Sequence, residues 1–148
     1  MTSLAYSQEQ QKDWEVFGQR VFSALKAMDS TAFYDCYSSL DDFVTWNLAL
    51  KGGTEVPPSD LANFKKAIVK IEQRARKNFK TLSALAWEKA QLKKVSGDEL
   101  KLTKRSWKEK IFIEVSFEDG TKKFKLGNSL FINDKTGWKC EYISEEYM

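Results

Sequence analysis

The sequence has 148 residues, of which 42 % are hydrophobic and 14 % aromatic, so it can bury one core of ordinary size. It contains no histidine, which excludes general acid–base catalysis by histidine, histidine-dependent catalytic triads and histidine-ligated metal sites. The net charge of +3 is uneven, because residues 57–125 carry eighteen basic and nine acidic groups while both flanks are acidic. These features predict a single domain over residues 1–148 whose middle has a positive field.

The first half of the chain has helical periodicity, from about residue 7 to about residue 80. Ser7 opens a capping-box pattern, and an apolar stripe at three- and four-residue steps follows from Trp14 to Met28. A short second helix is predicted from Phe33 to Leu40. The bulky segment 41–46 indicates a buried turn or a short strand, and the glycines and prolines of 51–58 mark the clearest break.

A third, long helix is predicted to begin at the Ser59-Asp60 cap and to reach Phe79. Its apolar stripe faces the core, and its other faces are rich in lysine and arginine. Four basic side chains follow one another at four- and three-residue steps and share one side of the helix: Lys66, Lys70, Arg74 and Lys77. Such a row can bind phosphates or an acidic protein. Most lysine-rich helix faces are only solvated, so the sequence favours a solvated face over nucleic-acid binding.

From about residue 85 to about residue 144 the period changes to two, which predicts antiparallel strands. The first two are expected at 85–95 and 99–104, around a turn at 96–98. Alternation from Ile111 to Phe117 leads into an Asp-Gly hairpin turn of type I′, and Gly127-Asn128 predicts a bulge in the return strand. After a turn at 133–137, the last strand is expected to place Trp138, Cys140 and Tyr142 on one face.

This order of elements carries a family resemblance. Its signs are three N-terminal helices with a break at Met28-Asp29-Ser30, a long third helix and a terminal meander ending Lys135-Thr136-Gly137-Trp138-Lys139. The chain resembles the NTF2-like superfamily (cystatin-like fold), whose bacterial members often close with a Gly-Trp-Lys strand. The resemblance implies an α+β fold in which three N-terminal helices pack on a curved antiparallel sheet of about four to six strands. It also implies a cone-shaped pocket between the concave sheet face and the first helix.

The family includes cofactor-free isomerases, dehydratases and cyclases as well as domains that only bind, so no cofactor and no metal are expected. Its enzymes place an Asp, with a His or Tyr partner, in an apolar cone that raises the carboxyl pKa. Without histidine, one isolated carboxylate remains, and the candidates are Asp35, Asp42 and Glu114, with Tyr34, Tyr37 or Tyr142 as donors. The missing histidine therefore favours binding over catalysis.

The candidate lining of the implied pocket is mostly aromatic: Trp14, Phe17, Tyr37, Asp42, Trp46 and Trp138. The alternative is that these rings form the core, because helical and two-residue spacings are what a core requires. The predicted function is a non-enzymatic domain that binds a protein partner or a small apolar ligand. The alternatives are a cofactor-free lyase or isomerase using one buried carboxylate, and weak nucleic-acid binding through the third helix. Phe112 and Phe131 alternate outward and predict a homodimer through the sheet.

Two further expectations concern the cysteines and the location of the protein. Cys36 and Cys140 fit neither a disulfide framework nor a zinc pattern, so both are expected to be buried apolar side chains. No apolar run approaches the ~20 residues of a membrane span. The chain as it stands lacks a secretory signal and is predicted to be cytoplasmic. Residues 3–8 look like the end of a leader, and if Met1 replaces a removed signal peptide the protein is periplasmic or secreted.

Overall fold

The computed structural model describes residues 3–97, 108–133 and 135–146, with side chains over 14–97, 110–133 and 135–146. Within these ranges the chain is α+β, with four helices followed by an open antiparallel sheet of five strands, which confirms the predicted class. The helices are α1 (Ser3–Lys26), α2 (Ser30–Tyr34), α3 (Leu40–Lys51) and α4 (Pro58–Leu82). A 3₁₀ turn (Trp87–Lys89) leads into β1 (Gln91–Gly97), β2 (Lys108–Phe117), β3 (Gly120–Phe131), β4 (Trp138–Lys139) and β5 (Tyr142–Glu146).

The helices differ from the predictions mainly at their ends. α1 begins at Ser3, so Ser7 is not its cap. α2 ends at Tyr34, and the predicted continuation to Leu40 is wrong because the chain after Tyr34 forms a parallel bridge between Tyr37 and Cys140. α4 begins at Pro58 with Pro57 as its N-cap, rather than at Ser59-Asp60. Proline suits this first position because its missing N–H has no partner there in any helix.

The segment 41–46 is the largest correction, because it lies inside α3 and is neither a turn nor a strand. Ser39 accepts a hydrogen bond from the Asp42 amide at 3.1 Å, and the Asp42 carboxylate accepts one from the Ser39 amide at 2.9 Å. This reciprocal capping box satisfies two amides that the first turn leaves without partners. The helix then ends at Gly52, whose φ of 72° is the left-handed conformation of a helix C-cap.

The sheet has the order β1-β2-β3-β4, and β5 also pairs with β3. On β3, β4 pairs with residues 130–131 and β5 pairs with residues 123–127. Every pairing in it is antiparallel. The expected strand at 85–95 begins only at Gln91 and continues through Gly97, so the turn is not at Ser96-Gly97; the strand expected at 99–104 lies outside the described residues. The prediction of a single last strand is wrong, since β4 and β5 are separate and Cys140 and Glu141 lie between them.

The β2–β3 hairpin forms where it is predicted, with Phe117 paired to Gly120. Its turn is not type I′, because Gly120 has a φ of 136° while Asp119 keeps a negative φ. The predicted bulge at Gly127-Asn128 is confirmed: the register shifts opposite these residues, and Asn128 has a φ of 52°. The turn at 133–137 is confirmed as well, since the Gly137 amide donates to the Asn133 carbonyl at 2.8 Å.

The core lies between the helices and one face of the sheet. From α1 it takes Phe17, Val21 and Leu25, and from the sheet it takes alternating residues of β2 and β3. Trp87, 0 % exposed, packs its ring against Phe117 and Phe124 with centroids 5.0 and 5.4 Å apart. The other sheet face is less buried, and Phe112 lies there in contact with Lys123. Phe131 does not share that face, because it is 3 % exposed and packs against Trp138.

Candidate functional site

The six residues predicted to line a pocket lie in four parts of the fold. Trp14 and Phe17 are in α1, Tyr37 follows α2, Asp42 and Trp46 are in α3, and Trp138 is in β4. Phe17, Tyr37, Asp42 and Trp138 are buried, whereas Trp14 and Trp46 are half-buried. Phe17 and Trp138 line one cavity of ≈ 170 Å³, and that cavity does not include the other four. Most of these rings therefore contribute to the core.

Asp42 is the buried carboxylate among the three candidate acids, and its oxygen atoms have structural partners. Its Oδ2 accepts from the Ser39 amide and lies 3.9 Å from the Lys139 ammonium. Asp35 is exposed and lines a pocket of ≈ 360 Å³ together with Arg20 and Lys139. Glu114 is on the outer sheet face, paired in register with Lys123. The structure does not bring these three carboxylates together.

Tyr37, Asn78 and Ile143 form a hydrogen-bonded junction between the helices and the edge of the sheet. The Tyr37 hydroxyl donates to Asn78 Oδ1 at 2.7 Å, and the Ile143 amide donates to the same oxygen at 3.0 Å. Burial raises the pKa of Tyr37 well above its usual range, so its hydroxyl remains a donor at every physiological pH. This junction holds β5 beside the C-terminal half of α4.

A groove of ≈ 290 Å³ opens between α4 and β5 next to that junction. Its apolar part comes from Leu82, Leu85 and Ile143, and its polar part is Lys77, Asn78, Thr81, Ser144 and Glu145. Sequence reasoning found Lys77 but missed the others. The sequence pattern around Asn78, Leu82 and Leu85 does not distinguish residues that line a groove from residues of the core. The groove also depends on the contact between Asn78 and Ile143, which are 65 positions apart in the sequence.

The four basic residues predicted on one side of the third helix, Lys66, Lys70, Arg74 and Lys77, are all exposed on α4. We call them the basic row. None of them forms an ion pair with a side chain in the described ranges. Lys77, at one end of the row, also lines the groove. The row and the groove are therefore continuous.

The cysteines are buried and not joined by a disulfide, as predicted. The Cys140 amide donates to the Cys36 carbonyl at 2.9 Å, so the backbone already links these two segments. Burial raises the pKa of both thiols, and the nearby Arg20 guanidinium opposes part of the rise at Cys36. Protonated, inaccessible thiols are poor nucleophiles, which assigns both cysteines to the core.

In the described part of the chain, no group of three or more Cys, Asp or Glu side chains is arranged to hold a metal ion. No described helix is long and apolar enough to cross a membrane. Comparison with known proteins finds no matching family model, no matching curated protein and no matching solved structure. The fold thus defines the chain as an α+β protein with helices on one face of an open antiparallel sheet, and the candidate sites on its described surface are the α4–β5 groove and the basic row.

Proposed function

We propose that this protein is a non-enzymatic, NTF2-like binding domain and that it binds a protein partner in the groove between α4 and β5. The order of helices before an antiparallel sheet supports the family assignment, which rests on that order and on the Gly137-Trp138-Lys139 sequence at β4. The observation that supports the binding site is the groove itself, in which the half-buried Leu85 lies with the buried Leu82 and Ile143 beside a sheet edge.

The packing of α1 favours a surface site over an interior pocket. A β-carbon added at Gly18 would lie 2.6 Å from Val95 Cγ1 and 3.1 Å from Ile113 Cγ2, so the α1 backbone rests directly on the sheet. Phe17 and Val21 on either side of it are almost completely buried. A small apolar ligand in a cone below α1 would have to displace these side chains.

The size of the groove also favours a protein segment over a free small ligand. Pockets that enclose drug-sized ligands have volumes of about 300–1,000 Å³. At ≈ 290 Å³ the groove is at the lower end of that range, and it suits one or two anchoring side chains of a partner.

The test uses a phage-displayed library of random peptides selected on the immobilised protein. Thr81→Trp fills the groove with a large ring, and Thr45→Trp makes the same change at an exposed position of α3 as a matched control. We expect selected peptides to bind the unchanged protein and Thr45→Trp equally, and to bind Thr81→Trp about tenfold or more weakly. Thermal unfolding of both variants verifies that they are folded. Selected peptides that do not distinguish the variants, or repeated failure to select any, would refute the proposal.

The homodimer remains a prediction, now supported by one aromatic residue instead of two. Of the two rings on which it rested, Phe112 lies on the outer sheet face and Phe131 is in the core. Lys123 lies over the Phe112 ring at 4.6 Å, so this face combines an aromatic side chain with charge. Sedimentation at tens of micromolar decides whether this face joins two copies, and a monomer there counts against it.

A further inference from the structure

The groove has a second property, because β5 is an edge strand. In the described ranges β5 pairs with β3 alone. The Ile143 amide points away from β3, since it donates to Asn78. Hydrogen-bonding directions alternate along an antiparallel strand, so the Glu145 amide and the Ile143 carbonyl also point away from β3, towards the groove beside α4. The Ile143 amide is already bonded to Asn78, so an extended peptide in the groove would pair with the Glu145 amide and the Ile143 carbonyl. Pairing with an edge strand is a usual way in which a sheet recognises a peptide.

The charge around the groove indicates which peptide fits. The basic row carries four positive charges without partners among the described side chains, and it ends in the groove at Lys77. The acid in the groove, Glu145, is already 3.7 Å from Lys122. A partner with carboxylates over Lys77 and Arg74 would therefore meet positive charge that no described acid neutralises. Complementary charge of this kind raises both specificity and association rate.

We infer that the partner is an acidic, extended protein segment that adds a strand to the β5 edge, anchors an apolar side chain against the half-buried Leu85, and places its carboxylates on the basic row. This inference rests on the proposed function and specifies its ligand. It combines three separate features of the molecule: the β5 edge, which pairs with no second strand in the described ranges, the apolar side chain of Leu85 in the groove, and the charge of α4 that has no described ion-pair partner.

The experiment uses two synthetic peptides of alternating valine and threonine, one with a glutamate-rich end and one with a lysine-rich end. We expect the glutamate peptide to bind and the lysine peptide to bind at least about tenfold more weakly. Affinity for the glutamate peptide should fall as salt rises from about 10 mM to about 150 mM, because exposed charges are then screened beyond roughly 8 Å.

Two matched pairs of substitutions test which side of α4 supplies the positive charge that binds the glutamate peptide. Arg74→Gln with Lys77→Gln removes one arginine and one lysine from the basic row. Lys65→Gln with Arg76→Gln removes the same charges from another side of α4, centred about 140° from Arg74 and Lys77 at 3.6 residues per turn. We expect the first pair to weaken glutamate-peptide binding about five- to tenfold and the second to change it less than about twofold. Equal effects of the two pairs would overturn the inference.

Amide hydrogen exchange tests the added strand. Binding of the glutamate peptide should slow exchange at the Glu145 amide, whereas a peptide bound only through side chains would leave it unchanged and contradict strand addition. Selected peptides that bind Thr81→Trp more weakly, but that have no acidic residues and bind equally at all salt concentrations, would refute this inference and leave the proposed function standing. Peptides that bind Thr81→Trp as well as the unchanged protein would refute both. Binding of single-stranded oligothymidine that needs Arg74 and Lys77, without any peptide binding, would assign the basic row to nucleic acid and overturn the inference.

Discussion

Replacing Gly18 by alanine tests how closely α1 rests on the sheet, on which the choice of a surface site depends. Two opposite effects act at this position. Alanine in a helix interior is more favourable than glycine by about 1 kcal/mol, so propensity alone predicts a more stable protein. The new β-carbon, however, would lie 2.6 and 3.0 Å from the two γ-carbons of Val95 and 3.1 Å from Ile113 Cγ2.

The steric effect should be the larger one. Val95 is β-branched and stiff, and Ile113 is completely buried in β2, so neither can move aside cheaply. Overpacking of this kind costs about 1–3 kcal/mol. Subtracting the gain in helix propensity, we expect Gly18→Ala to lower the free energy of unfolding by about 1 kcal/mol.

Urea unfolding followed by tryptophan fluorescence measures this change. Gln19→Ala, at the exposed neighbouring position of α1, is the control for helix propensity and should alter stability by no more than about 0.5 kcal/mol. The double variant Gly18→Ala with Val95→Ala removes the closest contact, so its loss should be smaller than the sum of the single losses by about 1 kcal/mol. A stabilised Gly18→Ala protein, or additive effects, would show that there is free space below α1 and would restore the interior pocket.

Three further predictions concern the rest of the site and the core. Ser39→Ala removes the N-cap of α3 and should cost about 1 kcal/mol in urea unfolding, and no loss would contradict the capping box as the origin of this helix. Because the folded pKa of Tyr37 lies above the unfolded value of about 10, the folded state holds its proton more tightly at high pH; stability should be unaffected below pH 10 and fall above it. Tyr37→Phe should lose that alkaline dependence, and if it does not, the dependence comes from another group. Cys36 and Cys140 should react with a thiol reagent only as fast as the protein unfolds, and rapid labelling of the folded protein would disprove their burial.

Several parts of the fold were predictable because their information is local. The long helix α4 follows from its apolar stripe, and β2 from strict alternation of buried and less buried residues, which the structure repeats from Ile111 to Phe117. Glycine and asparagine marked the β3 bulge and the turn at 133–137 because few other residues accept those backbone angles. The basic row was predictable for the same reason, since spacing along one helix determines which side chains share a side.

The errors occurred where local patterns conflict. The segment 41–46 has bulky residues that suit a strand, and the decision for α3 came from the Ser39–Asp42 capping box and from Phe43, which stacks on Phe64 of α4 at 5.6 Å. Period-two alternation predicted that Phe131 faces outward. The β3 bulge changes which side chains face the core, so Phe131 turns inward against Trp138.

The sequence by itself determined the composition that excludes histidine chemistry, the α+β class and the side of α4 that carries the basic row. Only the tertiary structure decided that a groove lies between α4 and β5 at the end of the basic row. The groove exists because Asn78 and Ile143, separated by 65 positions, are joined by a hydrogen bond that holds the β5 edge beside the end of the basic row. Periodicity reports which face of one element is buried, but it carries no information about which two elements meet.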